Sequence, residues 1–371
     1  MVLLVTCGIL FMGYGLLVLY YWYGWKNIPL FTPAASAPQT RISIIIPARN
    51  EAAHIGHLLK ALQEQDYPSI LFEIIVVDDH SEDETAEIVR QFPGVHLILL
   101  RAGTINSYKK KAIETGIAAA TGEWILATDA DCIPPAGWLR TIASFAEKKE
   151  AVFIAAPVYM KHSKSLLQLF QAMDFMVLQA ITGAVVHKRQ LTMCNGANLA
   201  YTKKAFEEVK GFSGIDNIAS GDDMLLMYKI GKRYPEKVMY LKSEQAIVST
   251  QPQPTWRSFF NQRLRWASKA ARYQDKRFFP VLLWVYLFNL SFLSLLVAGL
   301  WCSCYWKWFL VLWVAKTMVE LPLFLSAARF FQATTTAIWF FFFQPLHMIY
   351  TVISGLFGQA GSYEWKGRKV S

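Results

Sequence analysis

Short apolar runs that each end in polar or acidic residues are the feature that most constrains the fold of this chain. The predicted strands are 41–47, 72–77, 95–100 and 123–129. The predicted helices between and after them are 51–65, 83–91 and 109–120. This alternation predicts an α/β domain with a mainly parallel sheet.

Polar groups follow three of these strands, at Pro47–Glu51, Asp78–Asp79 and Asp129–Asp131. Ligands of open α/β sheets bind at the carboxyl ends of the strands. We therefore expect these residues to share one edge of the sheet and to form a binding site there.

The two ends of the chain are apolar enough for a membrane. The chain is 54% hydrophobic with a mean hydropathy of +0.27, and residues 2–23 carry no charge. That run is long enough to span a bilayer. A cleaved signal peptide is the alternative, but the first cation, Lys26, follows the run instead of preceding it. The positive-inside rule then predicts that residues 26 onward are cytoplasmic.

The net charge of +10 does not indicate nucleic acid, because the cations cluster beside apolar segments, at 257–277 and 366–369. Membrane lipids with anionic headgroups are the simpler partner. The five cysteines have no zinc-site spacing and no disulfide framework.

Composition divides the chain into six parts. They are an N-terminal transmembrane anchor (1–25), a linker (26–40), a globular domain (41–250), an amphipathic interfacial helix (251–277), two or three C-terminal transmembrane segments (278–358) and a basic tail (359–371). Lys316 and Glu320 are four residues apart inside a predicted span, so we expect them to pair. Buried ionisable residues suggest function, and we take an acceptor pocket as the hypothesis.

Asp129 and Asp131 are suited to one hard cation, because carboxylates two residues apart can face it together when the chain turns. A surface loop is the alternative. For Asp78 and Asp79 the alternative is a helix cap. At Asp222-Asp223, an ordinary N-cap explains one acid but not obviously two.

QRLRW at 262–266 predicts a helix that presents Gln262, Arg265 and Trp266 on one face, since they are at i, i+3 and i+4. Arginine can bind a diphosphate through its fork of donors. An interfacial helix anchored by tryptophan is the alternative, and both interpretations can hold.

In order and spacing, the chain resembles the membrane-bound family 2 glycosyltransferases, which have a GT-A nucleotide-sugar-binding fold. The resemblance covers 41–270 and includes the Q-x-x-R-W group, to which ceramide and lipid glucosyltransferases and cellulose, chitin and hyaluronan synthases belong. The motifs that carry it are VVDDHS (76–81), TDADC (128–132), SGDDM (220–224) and QRLRW (262–266). The ending Glu364–Arg368 also resembles the tail of small lipid-modifying relatives.

The resemblance implies a role for each motif. Asp131 would bind Mn²⁺ or Mg²⁺, and Asp129 would contact the metal or the ribose. Asp223 would be the general base, with Asp222 the second choice. In the family, glutamate is more usual at the position of Asp222. The implied nucleotide contacts are Pro47, Arg49, Glu51, Asp78, Asp79 and Lys110 of the run 109–111. The implied acceptor-side and diphosphate contacts are Asn195, Gly196, Asn198, Gln262, Arg265 and Trp266.

For single lysines of 109–111 a solvated helix start is the alternative, and for 195–198 a turn before a strand. The expected function is inverting transfer of a sugar from a UDP-sugar to a lipid or lipid-linked glycan, at the cytoplasmic face of a bacterial inner membrane. The alternatives are a processive polysaccharide synthase and a non-catalytic nucleotide-sugar-binding subunit. Donor sugar, acceptor and oligomeric state stay open.

Overall fold

The computed structural model describes residues 1–34, 38–101, 107–163, 165–216, 218, 221–268 and 278–358, with the backbone of 363–365 and 368–370. The predicted linker and amphipathic stretch are thus described in part. Lys366 and Gly367 of the predicted tail signature lie outside the described residues.

Helices and strands are interspersed as far as residue 250, and the last four helices then follow one another. They are α1 (Val2–Lys26), α2 (Ile55–Gln63), α3 (Thr85–Arg90), α4 (Tyr108–Ala119), α5 (Trp138–Lys149), α6 (Leu166–His187), α7 (Lys203–Glu208), α8 (Asp222–Arg233), α9 (Trp256–Ser268), α10 (Phe278–Gly299), α11 (Cys304–Phe330) and α12 (Ala337–Phe357). The strands are β1 (Ile42–Ala48), β2 (Phe72–Asp78), β3 (Val95–Leu99), β4 (Trp124–Ala127), β5 (Phe153–Ala155), β6 (Val158–Met160), β7 (Leu199–Thr202), β8 (Val238–Tyr240), β9 (Val248–Thr250), β10 (Tyr363–Trp365) and β11 (Arg368–Val370).

A seven-stranded sheet forms the centre of the α/β domain, in the order β3-β2-β1-β4-β7-β5-β8. The pairs among β1, β2, β3 and β4 are parallel, and β7 runs antiparallel to both β4 and β5. The predicted fold class is therefore confirmed. Helix α2 begins later than predicted, because residues 50–54 form a turn in which Asn50 has a φ of 51°.

The two faces of the sheet have different partners. Along β1, Ile42, Ile44 and Ile46 face a core shared with α2 and α5. Ile45 faces the other core, to which α4, α6, α8 and the apolar helices contribute. The sheet is therefore buried on both faces, as expected of a parallel sheet.

In the part of the chain that the structure describes, five apolar helical stretches are long enough to cross a membrane: α1, α6, α10, α11 and 334–357. For α6, 78% of the most apolar window is buried by protein, whereas the value is 22–28% for the other four. Helix α6 therefore packs inside the protein, between the sheet and the apolar helices. This helix was not predicted from the sequence.

Helices α1, α10 and α11 pack together, and α12 begins and ends near the α/β domain. Before α12, Phe331 stacks on Tyr159 of β6 with ring centroids 5.7 Å apart. After α12, a Cβ placed on Gly358 would stand 2.5 Å from the Cβ of Ala267 in α9. Strand β10 of the tail also lies against α9.

Candidate active site

The loops after β1 and β2 are held together at the carboxyl edge of the sheet. Nη1 of the buried Arg49 donates to the carbonyls of Asp79 and His80, both at 2.8 Å. The backbone amide of Glu51 donates to Thr85 Oγ1 at 2.8 Å. Arg49 and the backbone of Glu51 therefore stabilise the loops after β1 and β2.

Asp78 and Asp79 are buried where β2 ends, with 4% and 3% exposed. Asp79 Oδ1 lies 3.0 Å from His80 Nδ1, and Asp78 Oδ2 accepts from the amide of Ser81 at 3.1 Å. Asp78 Oδ1 is buried and has no hydrogen-bond partner within the described part of the chain. Pro47, which lies beside Val77 in the sheet register, is close to both acids along the same edge.

Lys109 connects the acids of two separate motifs. Its Nζ lies 2.7 Å from Asp129 Oδ1 and 3.4 Å from Asp222 Oδ2. Burial alone would lower the pKa of Lys109, but Asp129 and then Asp222 and Asp223 raise it above its ordinary value. Lys109 therefore stays protonated and balances the charge of this acidic cluster.

The lysine named from the sequence, Lys110, faces elsewhere. Its side chain is 2% exposed and donates to the carbonyls of Ile215, at 2.8 Å, and Ile218. Its described contacts therefore hold the segment that leads into α8. We correct the choice of Lys110: Lys109 is the lysine at the acids, because it is one residue earlier on α4 and faces the sheet edge.

Asp131 follows Asp129 by two residues, as predicted. Its Oδ2 accepts from Thr250 Oγ1 at 3.3 Å, and Cys132 Sγ lies 3.6 Å from its Oδ1. Within the described ranges, no three His, Cys, Asp or Glu side chains form a group that could hold a metal. Two carboxylates completed by substrate phosphates and water do suit Mg²⁺, and a similar oxygen set suits Mn²⁺.

Asp222 and Asp223 begin α8 after Gly221, whose φ of +81° favours glycine. Asp223 Oδ2 accepts from the amide of Gly196 at 3.2 Å, and its Oδ1 accepts from its neighbour Met224 at 2.8 Å. A Cβ on Gly196 would lie 3.4 Å from Lys109 Nζ and 3.5 Å from Asp222 Oδ2. Gly196 therefore allows the chain to approach both acids closely.

The two asparagines of the segment 195–198 have different surroundings. The Oδ1 of Asn195, a half-buried residue, accepts from the amide of Ala197 at 3.0 Å. Asn198 is fully buried: its Oδ1 accepts from Trp138 Nε1 at 3.0 Å, and its Nδ2 donates to the carbonyls of Pro157 and Ala246, each at 2.8 Å. The prediction that Asn198 binds the acceptor is therefore wrong, because its amide is committed to the core.

The predicted helix α9 carries QRLRW. Gln262, Arg265 and Trp266 are half-buried, and the Trp266 ring lies 6.0 Å from that of Phe175 in α6. Arg263, for which the motif predicts no role, is 3% exposed and pairs with an acid of α6. An arginine between two motif positions gives no sequence signal of burial.

Part of the chain is similar to a known protein family. Residues 43–210 match the model described as glycosyl transferase family 2. This region is therefore similar to the family 2 glycosyltransferases. The match includes Asp78, Asp79, Asp129 and Asp131, and it ends before Asp222 and α9.

Three curated proteins illustrate the relationship. The chain is 26% identical over 238 residues to the Bacillus subtilis protein called "Probable glycosyltransferase YdaM", a match covering 61% of this chain and 54% of that protein. It is 39% identical over 102 residues to glycosyltransferase AglE of Haloferax volcanii, covering 27% and 33%. It is 30% identical over 122 residues to beta-monoglucosyldiacylglycerol synthase of Synechocystis, covering 32% and 25%. The chain thus spans about half of the first relative and a third or less of the other two.

A solved structure resembles almost the whole chain. It is the mannosyltransferase PcManGT of Pyrobaculum calidifontis in complex with GDP-Man and Mn²⁺, with a TM-score of 0.58 and 20% identity. The match covers 97% of this chain and 98% of that one. The likeness shows a shared GT-A fold, in agreement with the fold expected from the sequence.

Proposed function

We propose that this chain is an inverting, metal-dependent glycosyltransferase that moves a sugar from a nucleotide sugar, expected to be a UDP-sugar, to a hydroxyl of a lipid or lipid-linked glycan. The observation that carries the proposal is that Lys109 bridges acids of two motifs, Asp129 and Asp222, at the sheet edge where β2 ends in Asp78. Acids concentrated in this way suit a divalent cation, which in turn binds a diphosphate, and one of the acids can serve as a base.

Asp131 and Asp129 are the residues that would hold Mn²⁺ or Mg²⁺. A bound divalent ion would supply charge neutralisation for the diphosphate leaving group. The likeness to a structure that contains GDP-Man and Mn²⁺ supports this choice. Asp78, with its buried unpartnered Oδ1, is suited to accept a hydrogen bond from the nucleoside.

Asp223 is the proposed base. Two backbone amides hold its carboxylate, whereas the carboxylate of Asp222 lies within 3.4 Å of the Lys109 ammonium. These two amides fix the orientation of the Asp223 carboxylate. The acceptor hydroxyl needs to lose its proton only as the new bond forms. One base that assists direct displacement gives inversion at the anomeric carbon, and catalysis then consists of positioning and electrostatics.

The packing of the apolar helices supports a membrane placement. The side of the α/β domain contains Lys26, Phe330 of α11, both ends of α12 and strand β10 of the tail. At the opposite end of the apolar helices, Cys304 interacts with the amino group of Met1. We propose that α1, α10 and α11 cross the membrane and that α12 does not. The basic tail would then be cytoplasmic, in agreement with the positive-inside rule.

Thiol labelling tests this placement, because Cys302 and Cys304 are exposed. In vesicles whose outer surface is the non-cytoplasmic one, an impermeant maleimide should label the wild type and not C302S/C304S. Equal labelling of both proteins would contradict the placement.

A transfer assay tests the function. Purified protein in native lipids receives radiolabelled UDP- and GDP-sugars with Mn²⁺ or with a chelator, and label is followed into the organic phase and into polymer. We expect one labelled lipid that disappears with the chelator. The kinship with a glucosyldiacylglycerol synthase supports a lipid acceptor. A polymer ladder would favour a processive synthase, and bound donor without transfer would favour the non-catalytic alternative.

A further inference from the structure

A buried ion pair connects α6, α9 and α12 beneath the α/β domain. Arg263 Nη2 lies 2.8 Å from Asp174 Oδ2, and the two side chains are 3% and 4% exposed. Tyr350 donates to Asp174 Oδ1 at 2.7 Å, and His347 Nε2 lies 3.9 Å from the same oxygen. The contact between Arg263 and Asp174 is electrostatic, since its geometry is not that of a hydrogen bond.

Aromatic rings surround the guanidinium of Arg263. Its central carbon lies 4.4 Å from the ring centroid of Trp266, 5.0 Å from that of Phe259 and 5.8 Å from that of Tyr350. A planar, weakly hydrated guanidinium stacks on such rings, and an ammonium group could not reproduce both the plane and the fork. The acid and the three rings together fix the orientation of the Arg263 side chain.

Stability alone does not explain this pair. Burying two charges costs several kcal/mol per ion, so apolar residues of similar volume often hold a core equally well or better. Nε and Nη1 of Arg263 also have no hydrogen-bond partner among the described residues. A buried ion pair here is best explained by a requirement for one particular orientation of the helices that it joins.

The position of Arg263 in α9 specifies which orientation that is. An α-helix turns about 100° per residue, so Trp266 lies about 60° from Arg263 and Arg265 about 160° from it. Burial of Arg263 against α6 therefore fixes the rotation of α9 and directs Arg265 to the opposite side.

We propose that Asp174 and Arg263 are positioning residues that hold α9 at the rotation in which Gln262 and Arg265 can meet the donor diphosphate and the acceptor. This inference rests on the proposed transferase function. It assigns neither residue a contact with substrate; both act through α9.

The double variant D174L/R263M tests the proposal, because it removes both charges while keeping apolar volume. We expect its thermal unfolding temperature to equal or exceed that of the wild type. We expect kcat to fall about tenfold or more, as misplacement of catalytic groups does, with the donor KM within about threefold. Amide exchange in 256–268 should become faster. Wild-type kcat and wild-type exchange in this variant would overturn the proposal.

Two further variants keep the test decisive. If the double variant does not fold, R263K keeps the charge but loses the fork and the stacking; its kcat should fall with an unchanged KM, and a wild-type kcat would overturn the proposal. The control D66N/R140M removes an exposed ion pair with a 3.1 Å contact, and its kcat should not change.

The exchange measurement separates the two hypotheses. If the wild type transfers no sugar from any donor, the proposed function fails, and exchange in α9 still reports on the anchoring. Unchanged exchange in D174L/R263M would then overturn the anchoring itself.

Discussion

The sheet edge and the layer of helices beneath it both contain acids paired with a cation, but in different surroundings. At the edge, the side chains of Lys109 and Asp129 are 23% and 37% exposed. In the helical layer, those of Asp174 and Arg263 are almost completely buried. Side chains that change partners when substrate binds, as we propose for the edge, need access to solvent. Side chains that only hold two helices in a fixed geometry can be fully buried.

The largest effect is expected from Asp223→Asn at the edge. The amide keeps the shape but cannot accept the acceptor proton, so kcat should fall by about 10²–10⁴. Binding of the nucleotide sugar, measured by calorimetry, should stay within a few-fold of wild type. Asp222→Asn is the matched control, and a larger loss in it than in Asp223→Asn would transfer the role of base to Asp222.

Asp131→Ala should weaken metal-dependent nucleotide binding by about tenfold or more, since each tenfold corresponds to 1.4 kcal/mol. The reason is the loss of one of two carboxylates available to the ion. Affinity is measured with Mn²⁺ and with a chelator, and Glu87→Ala on the exposed face of α3 is the control. If Asp131→Ala and Glu87→Ala bind the nucleotide with the same affinity, both with Mn²⁺ and with the chelator, Asp131 is excluded as a metal ligand.

Asn198→Ala distinguishes the core from the edge. It leaves the Trp138 indole and two carbonyls without their partner, at a cost of about 1–3 kcal/mol for each group. The unfolding temperature should fall, while kcat per folded molecule stays near wild type. Asn195→Ala, three residues earlier, should reduce stability less. A selective loss of acceptor affinity in Asn198→Ala would restore the original prediction.

The smallest effect is expected from K316M/E320L in the helical layer. The predicted pair is confirmed, with Lys316 Nζ 2.6 Å from Glu320 Oε1. Gln344 bonds to both residues, and Tyr14 donates to Glu320. These protein partners favour packing over the acceptor-pocket hypothesis, so kcat should change by less than about threefold. A loss of acceptor affinity would support the pocket.

Strands and helices with a regular apolar pattern were predictable from the sequence. The contacts that individual side chains make were not. Strands β1 to β4 and the acids at their ends follow from apolar runs of strand length. Helix α6 was missed because its apolar surface contacts protein on most sides and shows no amphipathic pattern. The choice between Lys109 and Lys110 depends on where α4 begins, and adjacent residues on a helix point about 100° apart.

Long-range packing explains the remaining differences. The burial of Asn198 depends on Trp138, Pro157 and Ala246, which are distant in the sequence. The path of α12 depends on contacts at both of its ends. Composition indicates only that α12 is apolar.

The configuration of the new glycosidic bond tests the central claim most directly. The claim is that one base at the sheet edge assists a single displacement. The lipid product formed from an α-linked nucleotide sugar is isolated, and its anomeric proton coupling is measured by NMR. A β-linked product is the predicted result. An α-linked product would require a second displacement or a different mechanism, and would contradict the role proposed for Asp223.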